Sequence, residues 1–376
     1  MDRPAFTVGI EEEYFLVDLE SRDLAQDPPD ELMKICGERL GDQVTPEFLR
    51  SQIEVGTRPH KTVAAAITEL AEMRATIAEV AGKFDLGLIA ASSHPFADYH
   101  AQSHTDKERY DTLARDIGAP LRRLQICGCH VHAGIGDDDL RIDLMGQIAY
   151  FLPHLLALTT SSPFWRGEDT GLMSYRLSVF DALPRTGLPD EFDSYTQYQR
   201  LVDQMVRSGG IEDATKIWWD VRPSARYPTL EMRIADVCTR LADCAALAAT
   251  YQCLLSMLWR LRANNQRWRL YPRTLIQENR WRAMRYGPSG ELMDFGKGEP
   301  VAYRELAAEL ADLLAEDADE LGCTAEMQHI MTIAAEGTSA DRQRAIYNTA
   351  LETGEDSHTA LIAVVDHLMV ETLETS

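Results

Sequence analysis

The chain is poor in lysine and in positive charge overall. Of its 376 residues, 37 are basic but only six of these are lysine, and the excess of acidic residues gives a formal net charge of −23. A protein that binds nucleic acid or an acidic membrane surface needs a basic surface on which phosphates can lie. We therefore expect no nucleic-acid or membrane partner, although a local anion site is compatible with the sequence.

The chain also lacks the apolar segments and cysteine patterns of exported or membrane-bound proteins. Its first residues contain no basic segment followed by an apolar core. The longest apolar helical stretch, around residues 244–261, is interrupted by Gln252 and Arg260. The seven cysteines are scattered and odd in number, which argues against a disulfide framework or a zinc site. We expect a reduced, cytoplasmic protein.

No glycine-rich phosphate-binding loop of the Rossmann or P-loop type follows a strand-like run. No internal repeat or low-complexity linker divides the sequence, so we predict a single domain over residues 1–376. The glycine-rich segment at 287–300 predicts a loop or hairpin between a sheet with packing helices (1–290) and an integrated helical C-terminal region (300–376). Apolar residues at helical spacing also predict helices at 61–83, 138–160 and 236–263.

Several strand-like runs alternate between apolar and polar side chains. They are residues 7–17, 48–57, 124–135, 172–180 and 229–236. This alternation is typical of half-buried antiparallel strands. We predict an α+β fold in which helices cover the apolar face of one antiparallel sheet. The other face would be dense in carboxylates, imidazoles and guanidiniums.

The first run, TVGIEEEYFLV, contains three consecutive glutamates. Because side chains alternate along a strand, Glu11 and Glu13 share the polar face, whereas Glu12 points to the apolar one. Glu12 is therefore interpreted as dispensable, and E12Q or E12L should keep most of the activity. In the last run, Asp236 is interpreted as the N-cap of a helix that begins near Val237.

The composition of the polar face predicts its chemistry. Carboxylates packed so closely would raise one another's pKa values unless cations neutralised them. A cluster of carboxylate oxygens suits Mg²⁺ or Mn²⁺, and arginine side chains suit a phosphoryl group or a substrate carboxylate. Together these groups describe a phosphoryl-transfer site.

A series of motifs resembles the carboxylate–amine ligase family, which is the second glutamate–cysteine ligase family of the glutamine-synthetase-like superfamily. The motifs are GIEEEY (9–14), TPEFLRSQIEVGTRP (45–59), SSHPF (92–96), GCHVHAGI (128–135), YRLSVFDALPRTGLP (175–189), WWDVRPS (218–224) and TLEMRIAD (229–236). They occur in the family's order over residues 7–236, and this order makes the resemblance specific.

The resemblance implies a curved antiparallel sheet of about six strands whose concave face binds ATP and Mg²⁺ or Mn²⁺. On this basis the chain would form one catalytic domain acting on a small-molecule carboxylate and a small-molecule amine. ATP would phosphorylate the carboxylate, and the amine would attack the acyl phosphate to give an amide. A weak glutamate–cysteine ligase activity and a homodimer are compatible with the resemblance.

The resemblance also assigns roles to individual residues. The implied metal ligands are Glu11, Glu13, Glu47, Glu54 and Glu231. The implied catalytic residues, which also contact the nucleotide together with Glu11 and Glu13, are His130, Arg176 and Arg233. The implied substrate-binding residues are Arg58, Arg185 and Arg222.

Other functions stay open on the sequence alone. An ATP-dependent guanidino or amine phosphotransferase would need the same cofactors but would form a phosphoramidate. A metal-dependent hydrolase could use His130 and His132 with carboxylates and would act without ATP. A non-catalytic binding protein would not need the full acidic set.

Overall fold

The largest sheet of the computed structural model contains the predicted polar and apolar faces. The structure describes residues 3–105 and 117–374. Within these ranges, seven antiparallel strands form one sheet: β1 Val8–Asp18, β2 Val44–Pro46, β3 Gln52–Gly56, β4 Leu86–Ile89, β5 Cys129–Gly134, β10 Val221–Pro223 and β11 Thr229–Met232. Six of them lie in the order β10-β11-β5-β1-β3-β2, and β4 also pairs with β1. The predicted α+β fold is confirmed, with one strand more than the approximate number expected.

Strand β1 lies in the middle of this sheet and sets its register. Glu11 faces His130 of β5, and Glu13 faces Glu54 of β3. On the opposite side of β1, Glu12 is fully buried together with its apolar neighbours Val8, Ile10, Tyr14 and Leu16. The alternation predicted for the three glutamates is therefore confirmed.

The apolar face of the sheet is covered by helices. In chain order the described helices are α1 Asp30–Leu40, α2 Val63–Gly82, α3 Ala119–Arg122, α4 Asp138–Ile148, α5 Leu152–Ala157, α6 Arg176–Phe180, α7 Tyr195–Arg207, α8 Leu241–Ala263, α9 Arg273–Tyr286, α10 Tyr303–Leu321, α11 Thr324–Gln328, α12 Ile330–Glu336, α13 Ser339–Glu352 and α14 Ser357–Thr372. Helices α2 and α8 both pack on β1, and α8 also packs on β5. In the described part of the chain, α8 alone is long and apolar enough to cross a membrane, but 94% of its apolar stretch is buried inside the protein.

The region after residue 300 is helical, as predicted. It follows a hairpin of β12 Glu291–Asp294 and β13 Glu299–Ala302. The last helix, α14, packs on β4, and the Thr372 hydroxyl accepts a hydrogen bond from the Ala90 backbone N–H at 2.8 Å. The remaining short strands are β6 Phe164–Trp165, β7 Glu168–Asp169, β8 Thr186–Gly187 and β9 Trp218–Trp219. The division of the domain near residues 290–300 stays a prediction.

The prediction of helix at 138–160 is confirmed over residues 138–157, where a 3₁₀ turn at Ala149–Phe151 connects α4 and α5 and Pro153 lies in the first turn of α5. Two other local predictions are wrong. Residues 172–180 do not form a strand; they lead into the short helix α6, because alternation over so few residues does not distinguish a strand from a helix. Asp236 caps no helix: α8 begins at Leu241, and Asp236 instead accepts hydrogen bonds from the residues around Ser162.

The buried carboxylate of Glu12 is neutralised by Arg74 of α2. The Arg74 guanidinium donates to both Glu12 oxygens, with Nη2–Oε2 at 2.7 Å, and Tyr14 donates its hydroxyl to the same carboxylate at 2.5 Å. Arg74 also donates to the backbone carbonyls of Cys238 and Thr239. Both partners are essentially inaccessible to solvent. Glu12 is thus a structural residue, and the expectation that E12Q or E12L keeps most of the activity stays a prediction.

We predict that E12L lowers the free energy of unfolding by about 3–5 kcal/mol, because it leaves the buried Arg74 guanidinium without its counter-ion. The double variant E12L/R74M should recover most of that loss, since it removes both charges. Urea denaturation of the two variants and the wild type measures the difference. A single variant as stable as the wild type would show that the pair contributes little.

Candidate active site

Charged side chains from most strands of the large sheet converge on its polar face. We call this set the polar cluster; it comprises Glu11, Glu13, Glu47, Glu54, His130, His132, Arg176, Arg222, Glu231 and Arg233. A small pocket within it is lined by Glu13, Glu47, His130, Arg176 and Arg233. The structure therefore brings together nine of the eleven residues predicted from the sequence, and adds His132.

The β1–β3 side of the polar cluster is acidic. Burial and the neighbouring Glu47 raise the pKa of Glu13 from 4.5 to about 7. Burial, followed by the charges of Glu47 and Glu11, raises the pKa of Glu54 from 4.5 to about 8. Glu13 accepts a hydrogen bond from the Gly128 N–H at 2.8 Å. In the described part of the chain, neither Glu13 nor Glu54 forms an ion pair with a basic side chain.

The two histidines of β5 lie on either side of Glu11. The Glu11 carboxylate is 3.3 Å from His130 Nδ1 and 3.2 Å from His132 Nε2. Burial alone would raise the pKa of Glu11, but the hydrogen bonds to both rings hold it well below its usual value. Burial and the charge of Arg233 lower the pKa of His130 to about 4, so this ring is neutral at pH 7. Its Nε2 is buried and has no hydrogen-bond partner among the described residues.

The β10–β11 side of the polar cluster carries arginine. Glu231 forms ion pairs with Arg222, at 2.8 Å, and with Arg233. Burial would raise the pKa of Glu231, but the two guanidiniums hold it well below its usual value. Arg222 also donates to the Thr215 and Ile217 carbonyls. It is therefore already engaged, which favours a role in holding Glu231 over one in gripping substrate.

Arg176 enters the polar cluster from α6 rather than from a strand. Its backbone N–H donates to the Ser162 hydroxyl at 3.0 Å, and its guanidinium donates to the carbonyls of Arg233 and Ile234. The guanidinium occupies the space where a β carbon on Gly128 would lie. Any larger residue at position 128 would therefore force the Arg176 guanidinium to move away from β5.

The two remaining predicted residues lie outside the polar cluster. Arg58 is largely exposed, with Glu69 as its nearest carboxylate at 3.8 Å. Arg185 donates to the Lys216 carbonyl and stacks over the Trp218 ring. Their substrate-binding roles stay predictions.

One supporting residue, Arg280, was missed by the sequence interpretation. The buried Arg280 of α9 pairs with Asp220 at 2.7 Å and with Asp181 at 2.6 Å. The Asp220 carbonyl accepts the backbone N–H of Arg233 at 2.7 Å, and Asp181 directly follows α6. Arg280 therefore ties the chain that carries Arg233 to the helix that carries Arg176. Asp220 lies in the WWDVRPS motif, but no local sequence pattern around Arg280 indicates that Arg280 pairs with Asp220.

The acidic part of the polar cluster fits a divalent cation. Its donors are mainly carboxylate oxygens, which hard cations such as Mg²⁺ prefer. One oxygen or nitrogen each of Glu11, His132 and Glu231 lie within 4.8 Å of one another. Glu13 and Glu54 are buried next to other acids, and no basic side chain in the described ranges forms an ion pair with either. Bound divalent metal would remove this repulsion.

The fold of the chain is of the glutamine-synthetase-like type. The glutamate–cysteine ligase of Francisella tularensis, solved in complex with AMP, superposes with a TM-score of 0.70 at 14% identity, covering all of this chain and 91% of that one. A bifunctional glutathione synthetase from Pasteurella multocida gives the same TM-score and 14% identity over 98% of this chain. This chain spans about half, 53%, of that longer protein. At this level of identity the likeness establishes the fold.

The sequence comparisons establish the family. The model of glutamate-cysteine ligase family 2 (GCS2) matches residues 7–367. A protein of Rhodospirillum rubrum named "Putative glutamate--cysteine ligase 2" is 59% identical over 99% of this chain and 97% of its own length. A protein of the same name from Jannaschia sp. is 56% identical over 97% of this chain and 96% of its own. The chain belongs to glutamate–cysteine ligase family 2, and it is an ATP-dependent ligase that forms C–N bonds.

We predict that divalent metal binding to this protein releases protons. Because burial raises the pKa values of Glu13 and Glu54 in the metal-free fold, both bind protons near neutral pH that a cation must displace. The same shifts mean that the metal-free protein loses stability as pH rises from about 5 through about 8. Titration calorimetry of MgCl₂ in buffers of different ionisation enthalpy counts the released protons.

The matched variant for this measurement is E54Q, which should release fewer protons. The thermal stabilisation by Mg²⁺ should also be larger at about pH 8.5 than at about pH 6. Mg²⁺ binding that releases no protons and stabilises the protein equally at both pH values would contradict the prediction.

We further predict that G128A lowers ATP turnover by about 100-fold, because the added methyl group displaces the Arg176 guanidinium from the polar cluster. The matched control is G9A in β1, whose added carbon would lie 3.9 Å from His132 Cβ, an ordinary contact. Steady-state ADP formation measures both variants. Equal turnover in G128A and G9A would show that the close approach is not needed.

Proposed function

We propose that this protein is a carboxylate–amine ligase that works through an acyl phosphate. A substrate carboxylate attacks the γ-phosphorus of ATP, and ADP leaves. The nitrogen of an amine then attacks the acyl carbon, the bond from that carbon to the phosphate oxygen breaks, and phosphate leaves. The amine nitrogen loses a proton, and the product is an amide.

The observation that carries this proposal is the division of charge across the polar cluster. Within the described residues, Glu13 of β1 and Glu54 of β3 form no ion pair with a basic side chain, whereas the arginines lie beside β11. An ATP-dependent ligase needs these two environments next to each other, because a nucleotide triphosphate is held by divalent metal on one part and by guanidiniums on another. Family membership supports the same arrangement.

The roles proposed for the residues follow from this division. Glu11, Glu13, Glu54 and Glu231, with Glu47 at the edge of the small pocket, would hold divalent metal, for which we propose Mg²⁺ or Mn²⁺. When bound, the metal would offset the charge of the phosphate oxygens. Arg176 and Arg233 would steady the transferring phosphoryl group. The neutral ring of His130 would hydrogen-bond or ligate through its unpartnered Nε2.

The substrates are small molecules, a carboxylate and an amine. The curated relatives carry the name of an enzyme for glutamate and cysteine, which makes these the first substrates to try. Arg222 is already bound to Glu231, so we propose that it orients this carboxylate. We also propose a cytoplasmic enzyme, and a homodimer by likeness to the family.

The cluster of Glu11, His132 and Glu231 also suits a metal-dependent hydrolase using the His130 and His132 pair. That function would proceed without ATP. A guanidino or amine phosphotransferase would need ATP but would leave a phosphoramidate and no amide. The products therefore separate the three functions.

We predict that the protein, incubated with ATP, MgCl₂ and pooled amino acids, releases ADP in step with a new amide detected by mass spectrometry. E13Q should lower ADP formation at least about 100-fold, because it removes a carboxylate from the proposed metal site. The matched control, E79Q, removes an exposed carboxylate on α2 that pairs with Arg39.

The amide must appear in the same amount as ADP, and its formation must stop without ATP. Measurable ATP binding with no ADP release in any pool would contradict the ligase function. A phosphoramidate without amide would favour the phosphotransferase, and product formation without ATP would favour the hydrolase.

A further inference from the structure

Asp236 is a buried carboxylate that the proposed reaction does not use. It is the last residue of the TLEMRIAD motif and follows the segment that carries Glu231 and Arg233. Its side chain is inaccessible to solvent. Because a buried carboxylate is costly unless other groups satisfy it, the hydrogen bonds that it accepts indicate its role in the fold.

Three hydrogen bonds hold the Asp236 carboxylate, and all of them come from serine residues. Its Oδ2 accepts the backbone N–H of Ser161 at 2.9 Å and the hydroxyl of Ser162 at 2.7 Å. Its Oδ1 accepts the hydroxyl of Ser174 at 2.8 Å. The three serines are themselves fully buried. The carboxylate therefore joins two segments of the chain that are distant in sequence.

Ser162 connects Asp236 to the backbone of Arg176. The hydroxyl of Ser162 has one proton, which it donates to Asp236, and its oxygen accepts the Arg176 backbone N–H at 3.0 Å. Arg176 is the first residue of α6, and the first N–H groups of a helix have no partner within the helix. Asp236 thus sets the direction of the hydroxyl that holds the beginning of α6.

The residues that lead into α6 are held at the same place. Ser162 and Ser174 form a parallel β-bridge. The Ser162 N–H donates to the Met173 carbonyl at 3.2 Å, and the Tyr175 N–H donates to the Ser162 carbonyl at 2.9 Å. The bond from the Ser174 hydroxyl to Asp236 adds a side-chain contact to this bridge. The carboxylate therefore acts on α6 at two points, one before the helix and one at its first residue.

The other end of the Arg176 side chain contacts the chain segment that carries Asp236. The Arg176 guanidinium donates to the carbonyls of Arg233 and Ile234. It lies over Gly128, which forms an antiparallel bridge with Asp236. Burial raises the pKa of Asp236, and the positive charge of Arg176 opposes this rise. One short segment of the chain thus holds both the backbone and the guanidinium of Arg176.

We propose that Asp236 is a positioning residue that fixes the start of α6 through Ser162 and Ser174 and so places the Arg176 guanidinium in the polar cluster. The inference rests on the proposed function, in which Arg176 steadies the transferring phosphoryl group. Asp236 acts through Arg176 and takes no part in the chemical steps. Its loss therefore lowers kcat more than it weakens ATP binding, because a displaced guanidinium loses contacts that are made in the transition state.

The test measures kcat and the KM for ATP in ADP formation with MgCl₂ and pooled amino acids. D236A should lower kcat about 100-fold and S162A about tenfold, with the KM for ATP changed less than about twofold. D236N should keep kcat within about threefold of the wild type. Its amide oxygen accepts from Ser161 and Ser162, and its amide nitrogen donates to Ser174, so the conservative variant retains the contacts.

A double-mutant cycle separates positioning from a general loss of structure. If Asp236 acts through Arg176, D236A should lower kcat no further in the R176A background, measured with radiolabelled ATP. The matched control is D317A in α10. It also removes a buried carboxylate that accepts a serine hydroxyl at 2.7 Å, from Ser256, but outside the polar cluster. D317A should lower the temperature of thermal unfolding and leave kcat within about twofold.

Two kinetic outcomes would overturn the inference. Equal losses of kcat in D236N and D236A would show that the charge of Asp236 matters and that the hydrogen bonds do not. A further loss from D236A in the R176A background would show that Asp236 acts on another part of the enzyme. If D236A does not fold, S162A and S174A decide, and unchanged kcat in both would overturn the inference.

A structural readout keeps this inference separate from the ligase function. If the wild type releases no ADP, the ligase function fails by its own test. Hydrogen exchange of the α6 backbone N–H groups, followed by mass spectrometry, still tests the contact of Asp236 with α6. Exchange should be at least about tenfold faster in D236A than in the wild type or D236N. Equal exchange in the three proteins would overturn the positioning role.

Discussion

The glutamates of β1 are neutralised in two different ways, and the large sheet depends on both. Under the sheet, Glu12 is paired inside the protein with Arg74. Above it, Glu11 is held by two histidines, while Glu13 is left beside other acids. A shift of register by one residue would bury Glu11 and Glu13 and would separate Glu12 from Arg74, which would stay buried on α2. The positions of these charges therefore favour the same register as the apolar side chains do.

The arginine side of the polar cluster is organised from outside the sheet. Arg280 of α9 pairs with Asp220, whose carbonyl holds the backbone of Arg233. Asp236 accepts hydrogen bonds from the residues that hold the start of α6. Buried ion pairs of this kind add little net stability, because desolvation offsets their attraction. Here these interactions determine position, because they hold in place the chain segments that carry the Arg233 and Arg176 guanidiniums.

The sequence predicts the parts of this structure that rest on local pattern. The alternation of apolar and polar residues along β1 and β5 correctly places Glu11 and His130 on one face of the sheet. Over a run of this length the pattern fits a strand and does not fit a helix. It fails at Arg176, where α6 is too short to reveal its period. It also gives no sign of Arg74, which lies 62 residues from Glu12. Partners that meet only through the tertiary fold leave no trace in local spacing, and for this reason the sequence indicates the face of Glu12 but not its partner Arg74.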